Sequence, residues 1–125
     1  MMPSHEQMVA TIRAYVEGFA RQDVEAIVRL YAPDATVEDP VGSPPLAGVE
    51  AIRTFYSMAV QTGAKLTLSG PVRTAANSAA FAFSVHVAAA EPPRRIDVID
   101  TFTFNSNGQI GAMRAFWGPE NVHNA

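Results

Sequence analysis

Along "SHEQMVATIRAYVEGFARQ", residues 4–22, apolar side chains return at Met8, Val9, Ile12, Tyr15, Val16, Phe19 and Ala20. Spacing of three and four predicts an amphipathic helix with one buried stripe, and Tyr15 lies inside that stripe. Ser4 with Gln7 three positions on forms a capping-box signature for its start. Asp23 is placed to cap a second, shorter helix with apolar positions Val24, Ile27, Val28 and Tyr31, ended by Pro33 and Asp34. Val49, Ile52, Phe55, Tyr56 and Ala59 repeat the helical period and predict a third helix.

Beyond these the period changes to two. "KLTLSGPV", "SAAFAFSVHVAAA", "RRIDVIDTFTF" and "GQIGAMRAFWG" alternate and are rich in β-branched and aromatic residues, as strands are. Asn77-Ser78, Glu91-Pro92-Pro93 and "NSNG" at 105–108 supply hairpin connections. Helices first and hairpin-linked strands after them predict an α+β fold: a curved, mostly antiparallel sheet wrapped over three helices and enclosing an apolar pocket. Phe81, Phe83, Val85 and Val87 share one face of their strand, and Gly111, Ala112 and Ala115 are small enough to ease curvature in the last one.

Two acids break this pattern. In "ATVEDPVGSPP", residues 35–45, alternation puts Asp39 in phase with Ala35 and Val37 and puts Glu38 with Thr36 on the other side. In "RRIDVIDTFTF", Asp100 shares its face with Ile96, Val98, Phe102 and Phe104, while Asp97 sits opposite. An ionised carboxylate loses several kcal/mol on leaving water without compensation, so Asp100 is expected to resist ionisation. Each acid also has a plain structural reading: Asp39 as an Asp-Pro turn residue, Asp100 as a carboxylate met by backbone N–H groups or shifted by a β-bulge, and Tyr15 as a core phenol. Together they suit proton transfer at carbon. One ionised acid takes a proton from a carbon beside a carbonyl, while a neutral acid and a phenol donate to the oxygen that gains charge.

Composition narrows the alternatives. Apolar residues make up 48% and charged residues 17% of 125, which suits one packed domain over 1–125 and argues against disorder. A net charge of −3 with no basic run gives no pull toward nucleic acid. Without cysteine there are no disulfides or thiolate metal sites, and no histidine spacing matches a zinc site, so no metal site is expected. No leader-like segment opens the chain and no apolar run approaches membrane length; the expected location is cytoplasmic, away from membranes.

The stretches "YAPDATVEDPVGSPPLAG", "AIRTFY", "FAFSVHV", "VIDTFTFN" and "MRAFWG" closely resemble the bacterial ketosteroid isomerases, in register from about Tyr15 to about Val122. That family lies in the superfamily of nuclear transport factor two and the polyketide cyclases, whose fold is a cone-shaped sheet over helices. The resemblance implies a homodimer that isomerises 3-oxo-Δ5-steroids to 3-oxo-Δ4-steroids without a cofactor. It places Tyr15 and a protonated Asp100 in the oxyanion hole and makes Asp39 the general base. Ketosteroid isomerases are themselves a standing example of two carboxyls whose environments push their pKa values apart.

By the same resemblance Tyr31 and Tyr56 match tyrosines that support the catalytic phenol, and Trp117 matches an aromatic that contacts the steroid or bonds the base. Val41, Phe55, Val85, Met113 and Phe116 are expected to line the steroid pocket, and Asp39-Pro40 is a candidate cis peptide. Three alternatives stay open. A cyclase-like enzyme would use an acid in the same apolar cone, and an epoxide hydrolase would want a guanidinium, from Arg73, Arg95 or Arg114, between the two acids. A non-catalytic binding protein for apolar ligands is the third.

Overall fold

A computed structural model describes residues 2–124. The first helix, α1 (His5–Ala20), starts where its capping box predicts: the Gln7 N–H donates to Ser4 Oγ at 3.1 Å, and the Ser4 N–H donates to Gln7 Oε1 at 2.7 Å. Asp23 caps α2 (Val24–Val28) by accepting from the Ala26 N–H at 3.1 Å. The two helices meet closely at Gly18, where a Cβ would stand 2.5 Å from Ile27 Cγ1. Tyr31 does not belong to α2. It opens β1 (Tyr31–Glu38), because the chain pairs with a distant strand from Leu30 onward, the Leu30 carbonyl accepting from the Ile110 N–H at 2.9 Å. Pro33 and Asp34 therefore lie within a strand, exposed, where the pairing slips between Tyr31 and Thr36. A proline lacks the N–H a regular ladder needs.

After β1 come β2 (Leu46–Ala47), α3 (Val49–Gln61), β3 (Lys65–Leu68), β4 (Arg73–Ala75), β5 (Ser78–Val87), β6 (Arg94–Phe104), β7 (Ile110–Phe116), a 3₁₀ turn (Pro119–Asn121) and β8 (Val122–Asn124). Of the segment "KLTLSGPV" only the first four residues are strand, β3; the chain turns away at Gly70, with φ +107° before Pro71, and β4 begins just past the segment at Arg73. The tail also contributes a short strand of its own, β8, which pairs with the start of β6.

The strands form one sheet in the order β2-β1-β7-β6-β5-β3, with β4 on β5 and β8 on β6. All pairs are antiparallel except β1 with β7. The result is an α+β fold in which a curved sheet wraps three helices. The buried face of β6 alternates as predicted, with Val98, Asp100, Phe102 and Phe104 inside. In β7 the alternation breaks. Thr103 pairs with Ala112 and Phe104 with Ile110, so Gly111 is one residue too many, a bulge. Ile110, Met113 and Ala115 face the core, and Phe116 faces out at 43% exposure. Ile12, Ile27, Ile52, Phe102 and Ile110 are fully enclosed between helices and sheet. Burying one such side chain contributes about 1.5–3 kcal/mol.

Candidate active site

Between α1, α3 and the inner face of the sheet lies a cavity of about 310 Å³ whose walls are mainly apolar. The polar side chains in its lining are Tyr15, Asp39, Tyr56, Thr62, Asp100 and Trp117. Of the expected lining residues, Phe55, Tyr56, Val85 and Trp117 are in the wall. Val41, Met113, Phe116 and Tyr31 are not. The bulge at Gly111 turns Met113 into the closed core and sends Phe116 to the opposite face. Val41 leaves β1 with its N–H held by the Ala115 carbonyl at 2.8 Å, and Tyr31 reaches the site only through Tyr56.

The sequence reading missed the rest of the wall, including Phe19, Phe83, Val87, Ile96 and Val98. Alternation holds the signal for most of it, since Ile96 and Val98 share Asp100's face and Phe83 and Val87 share Val85's.

Asp100 is enclosed at 1% exposure, flanked across the sheet by Phe81 of β5 and Ala115 of β7. Neither carboxyl oxygen has a hydrogen-bond partner. A buried charge in that state is costly, so burial pushes its pKa well above the ordinary carboxylate value, and the Asp39 charge pushes it the same way. Burial thus favours the neutral form of Asp100, and its carboxyl has no partner within the described residues.

Asp39 sits just past the end of β1, half-buried. Burial raises its pKa, and the Trp117 indole N–H, donating to Oδ1 at 2.8 Å, pulls it back down. The Asp39-Pro40 peptide is cis.

Three phenols form a chain. The hydroxyls of Tyr15 and Tyr56 are 3.0 Å apart, and those of Tyr56 and Tyr31 are 2.5 Å apart. All three are pushed well above the usual phenol value, with burial the largest cause. Running the donors from Tyr31 to Tyr56 to Tyr15 leaves the Tyr15 O–H free to point into the cavity, where Asp100 also lies. The arrangement sets a phenol, a fully buried carboxyl and a half-buried carboxyl against an apolar volume.

No guanidinium enters. Arg73 donates to the Pro71 carbonyl at 3.2 Å, Arg95 to Asp97 at 3.1 Å and Arg114 to Glu38 at 2.9 Å, and none lines the cavity. The histidines stand apart: His5 meets Thr74 at 2.8 Å, His123 meets Asp97 at 3.3 Å, and neither these nor His86 lines the cavity. Among the described residues no group of three or more His, Asp or Glu is placed to hold a metal ion.

Fold and site together define a protein of the cone-shaped class built around an acid-bearing apolar cavity. Residues 12–113 match the SnoaL-like domain family. The chain is 41% identical over 114 residues to a steroid Δ-isomerase of Nocardioides simplex, spanning 90% of this chain and 91% of that one. It belongs to the ketosteroid isomerase family. Two more distant relatives have other chemistry. Epoxide hydrolase LasB of Streptomyces lasalocidi is 29% identical over 96% of this chain, which spans half of LasB's length. The solved structure of the epoxide hydrolase/cyclase-like enzyme SalBIII, from polyether salinomycin pyran-ring formation, superposes with a TM-score of 0.90 at 25% identity, covering 98% of both chains.

Proposed function

We propose that this protein isomerises 3-oxo-Δ5-steroids to their conjugated 3-oxo-Δ4 isomers. The observation that carries the reading is Asp100: a fully buried, unpartnered carboxyl facing the same cavity as the Tyr15 phenol and the Asp39 carboxylate. A steroid 3-oxygen accepting from Asp100 and Tyr15 would complete both donors. Asp39 then takes the C4 proton, and the electrons move through C3 onto that oxygen to give a dienolate. The dienolate collapses as Asp39 returns the proton to C6, so no proton or electron is gained or lost. Donors already in place, against apolar walls, favour the charged intermediate without reorganisation.

Catalysis of this kind needs no guanidinium, and none of the arginines weighed for hydrolysis reaches the two acids. One feature favours a second reading. A neutral acid across from a base also suits the opening of an epoxide by an internal hydroxyl; LasB is named an epoxide hydrolase and SalBIII an epoxide hydrolase/cyclase-like enzyme.

The test is the growth of conjugated-enone absorbance when 5-androstene-3,17-dione meets the purified protein, with Asp39→Asn alongside. Turnover by the wild type and its near loss in the variant support the isomerase. No enone from either, with conversion of a hydroxy-epoxide, would transfer the site to the second reading.

A further inference from the structure

Glu38 is next to the base but on the other side of β1, outside the cavity, and the reaction above gives it no part. Its carboxylate nevertheless joins three segments. Oε1 accepts from Arg114 Nε of β7 at 2.9 Å, and Oε2 accepts from the Gly42 N–H at 3.1 Å. Glu38 and Arg114 are also register partners where β1 and β7 run parallel. These bonds lower the Glu38 carboxyl's pKa from its ordinary value, Arg114 being the larger cause. On the inner side Trp117 holds Asp39 itself at 2.8 Å, and between them the Ala115 carbonyl takes the Val41 N–H at 2.8 Å. Arg114, Ala115 and Trp117, within four consecutive residues, thus fasten residues 38–42 from both faces and the edge.

We propose that Glu38 is a positioning residue for Asp39: by bridging Arg114 and the Gly42 N–H it fixes the turn from which Asp39 enters the cavity. A base that serves two carbons swings on its own side-chain torsions, and a small displacement of its backbone spoils the approach to both. Misplacement of a reacting group by about 1 Å costs on the order of 10²-fold in rate. Glu38 stands at the partly exposed end of this fastening, with its side chain 22% accessible, so its removal is expected to loosen the turn and leave the core intact.

Only the kinetic arm of the test rests on the isomerase reading. The chain has one tryptophan, and its indole is bonded to Asp39, so Trp117 emission reports on Asp39 without substrate. Its pH titration in the wild type, absent in Asp39→Asn, gives the Asp39 midpoint. The ionisable groups facing Asp39 in the cavity are Asp100 of β6, Tyr15 of α1 and Tyr56 of α3; Glu38 and Arg114 lie behind it.

In Glu38→Ala the loosened turn admits water. Emission shifts to the red, the midpoint falls toward the ordinary carboxylate value, and kcat drops about tenfold with KM within about twofold. Glu38→Gln keeps one acceptor and is expected to fall between. If Glu38→Ala does not melt cooperatively, Arg114→Met removes the β7 half of the bridge and carries the same expectation. Wild-type emission, midpoint and kcat in the folded variants would overturn the proposal. So would a midpoint that falls equally in Glu38→Gln and Glu38→Ala with kcat intact, which assigns the effect to lost charge. A wild type without isomerase turnover whose emission still responds as described sinks the isomerase reading and leaves the positioning role standing.

Discussion

The Trp117 indole N–H meets Asp39 Oδ1 at 2.8 Å, joining the segment after β7 to the end of β1. It is the one contact that favours the charged form of a carboxylate whose burial favours the neutral form. Trp117→Phe keeps an aromatic wall and removes the donor, so the Asp39 pKa should rise further. Asp39 must be ionised to act as base, and kcat/KM falls below its pKa. The acid limb of the kcat/KM profile is therefore expected to move to higher pH in Trp117→Phe, with the plateau reduced about two- to tenfold, as for loss of one charge-assisted bond. An unmoved limb would show that the indole does not set the base.

Asp100 is expected to cost stability at neutral pH. Its folded-state pKa is raised above that of the unfolded chain, so between the two values the native state holds a proton that the unfolded state has lost. Stability falls as pH rises through that window, by about 1.4 kcal/mol for each pH unit, and is unaffected below the unfolded value. Asp100→Asn, neutral at every pH, should melt higher than wild type at pH 7–8, with the difference closing as pH falls toward about 4. Thermal melts across pH decide it: a difference independent of pH would mean that Asp100 is not held neutral by the fold. In activity, Asp100→Ala should lose about 10²–10³ in kcat.

The phenol chain predicts a graded loss. Tyr15→Phe removes a donor to the reacting oxygen and should cost about 10²–10³ in kcat. Tyr56→Phe leaves Tyr15 in place without its partner and should cost less, about tenfold, and Tyr31→Phe, two bonds from the substrate, least of all. Steady-state kinetics of the three single variants give the order. Equal losses at all three would replace the relay with a common packing defect.

How much of this could be read from residues alone follows from how each strand is built. β6 is regular and buried on one face, so strict alternation brings Asp100 out against Val98 and Phe102. β7 is not regular. Its extra residue at Gly111 moves the inner face, which starts at Ile110, from 112, 114 and 116 to 113 and 115, and nothing in "QIGAMRAFWG" but a glycine marks the shift. Tyr31 looked helical because it continues the spacing of Val24, Ile27 and Val28; its strand identity comes from pairing with Ile110, nearly eighty residues away. The Trp117–Asp39 and Glu38–Arg114 contacts depend on the same parallel pairing of β1 with β7. Local patterns carry no information about which distant strands become neighbours.

Phe116 and Ile99 lead to a last expectation. They are direct partners across β6 and β7 on the outer face, 43% and 49% exposed, and Ile99 pairs in turn with Ala82 of β5. This apolar row on the solvent side matches what the homodimer implied by the family would need, since large exposed apolar side chains in a contiguous patch favour association. Phe116→Lys and Ile99→Lys replace outward side chains, so melting should change little, within about 0.5 kcal/mol. Placing a lysine charge inside a dimer contact costs several kcal/mol, and self-association should weaken by more than about tenfold. Sedimentation velocity at micromolar concentration reads both. A dimeric wild type with monomeric variants locates the interface on this face; variants that stay dimeric send it elsewhere, and a monomeric wild type removes the dimer altogether.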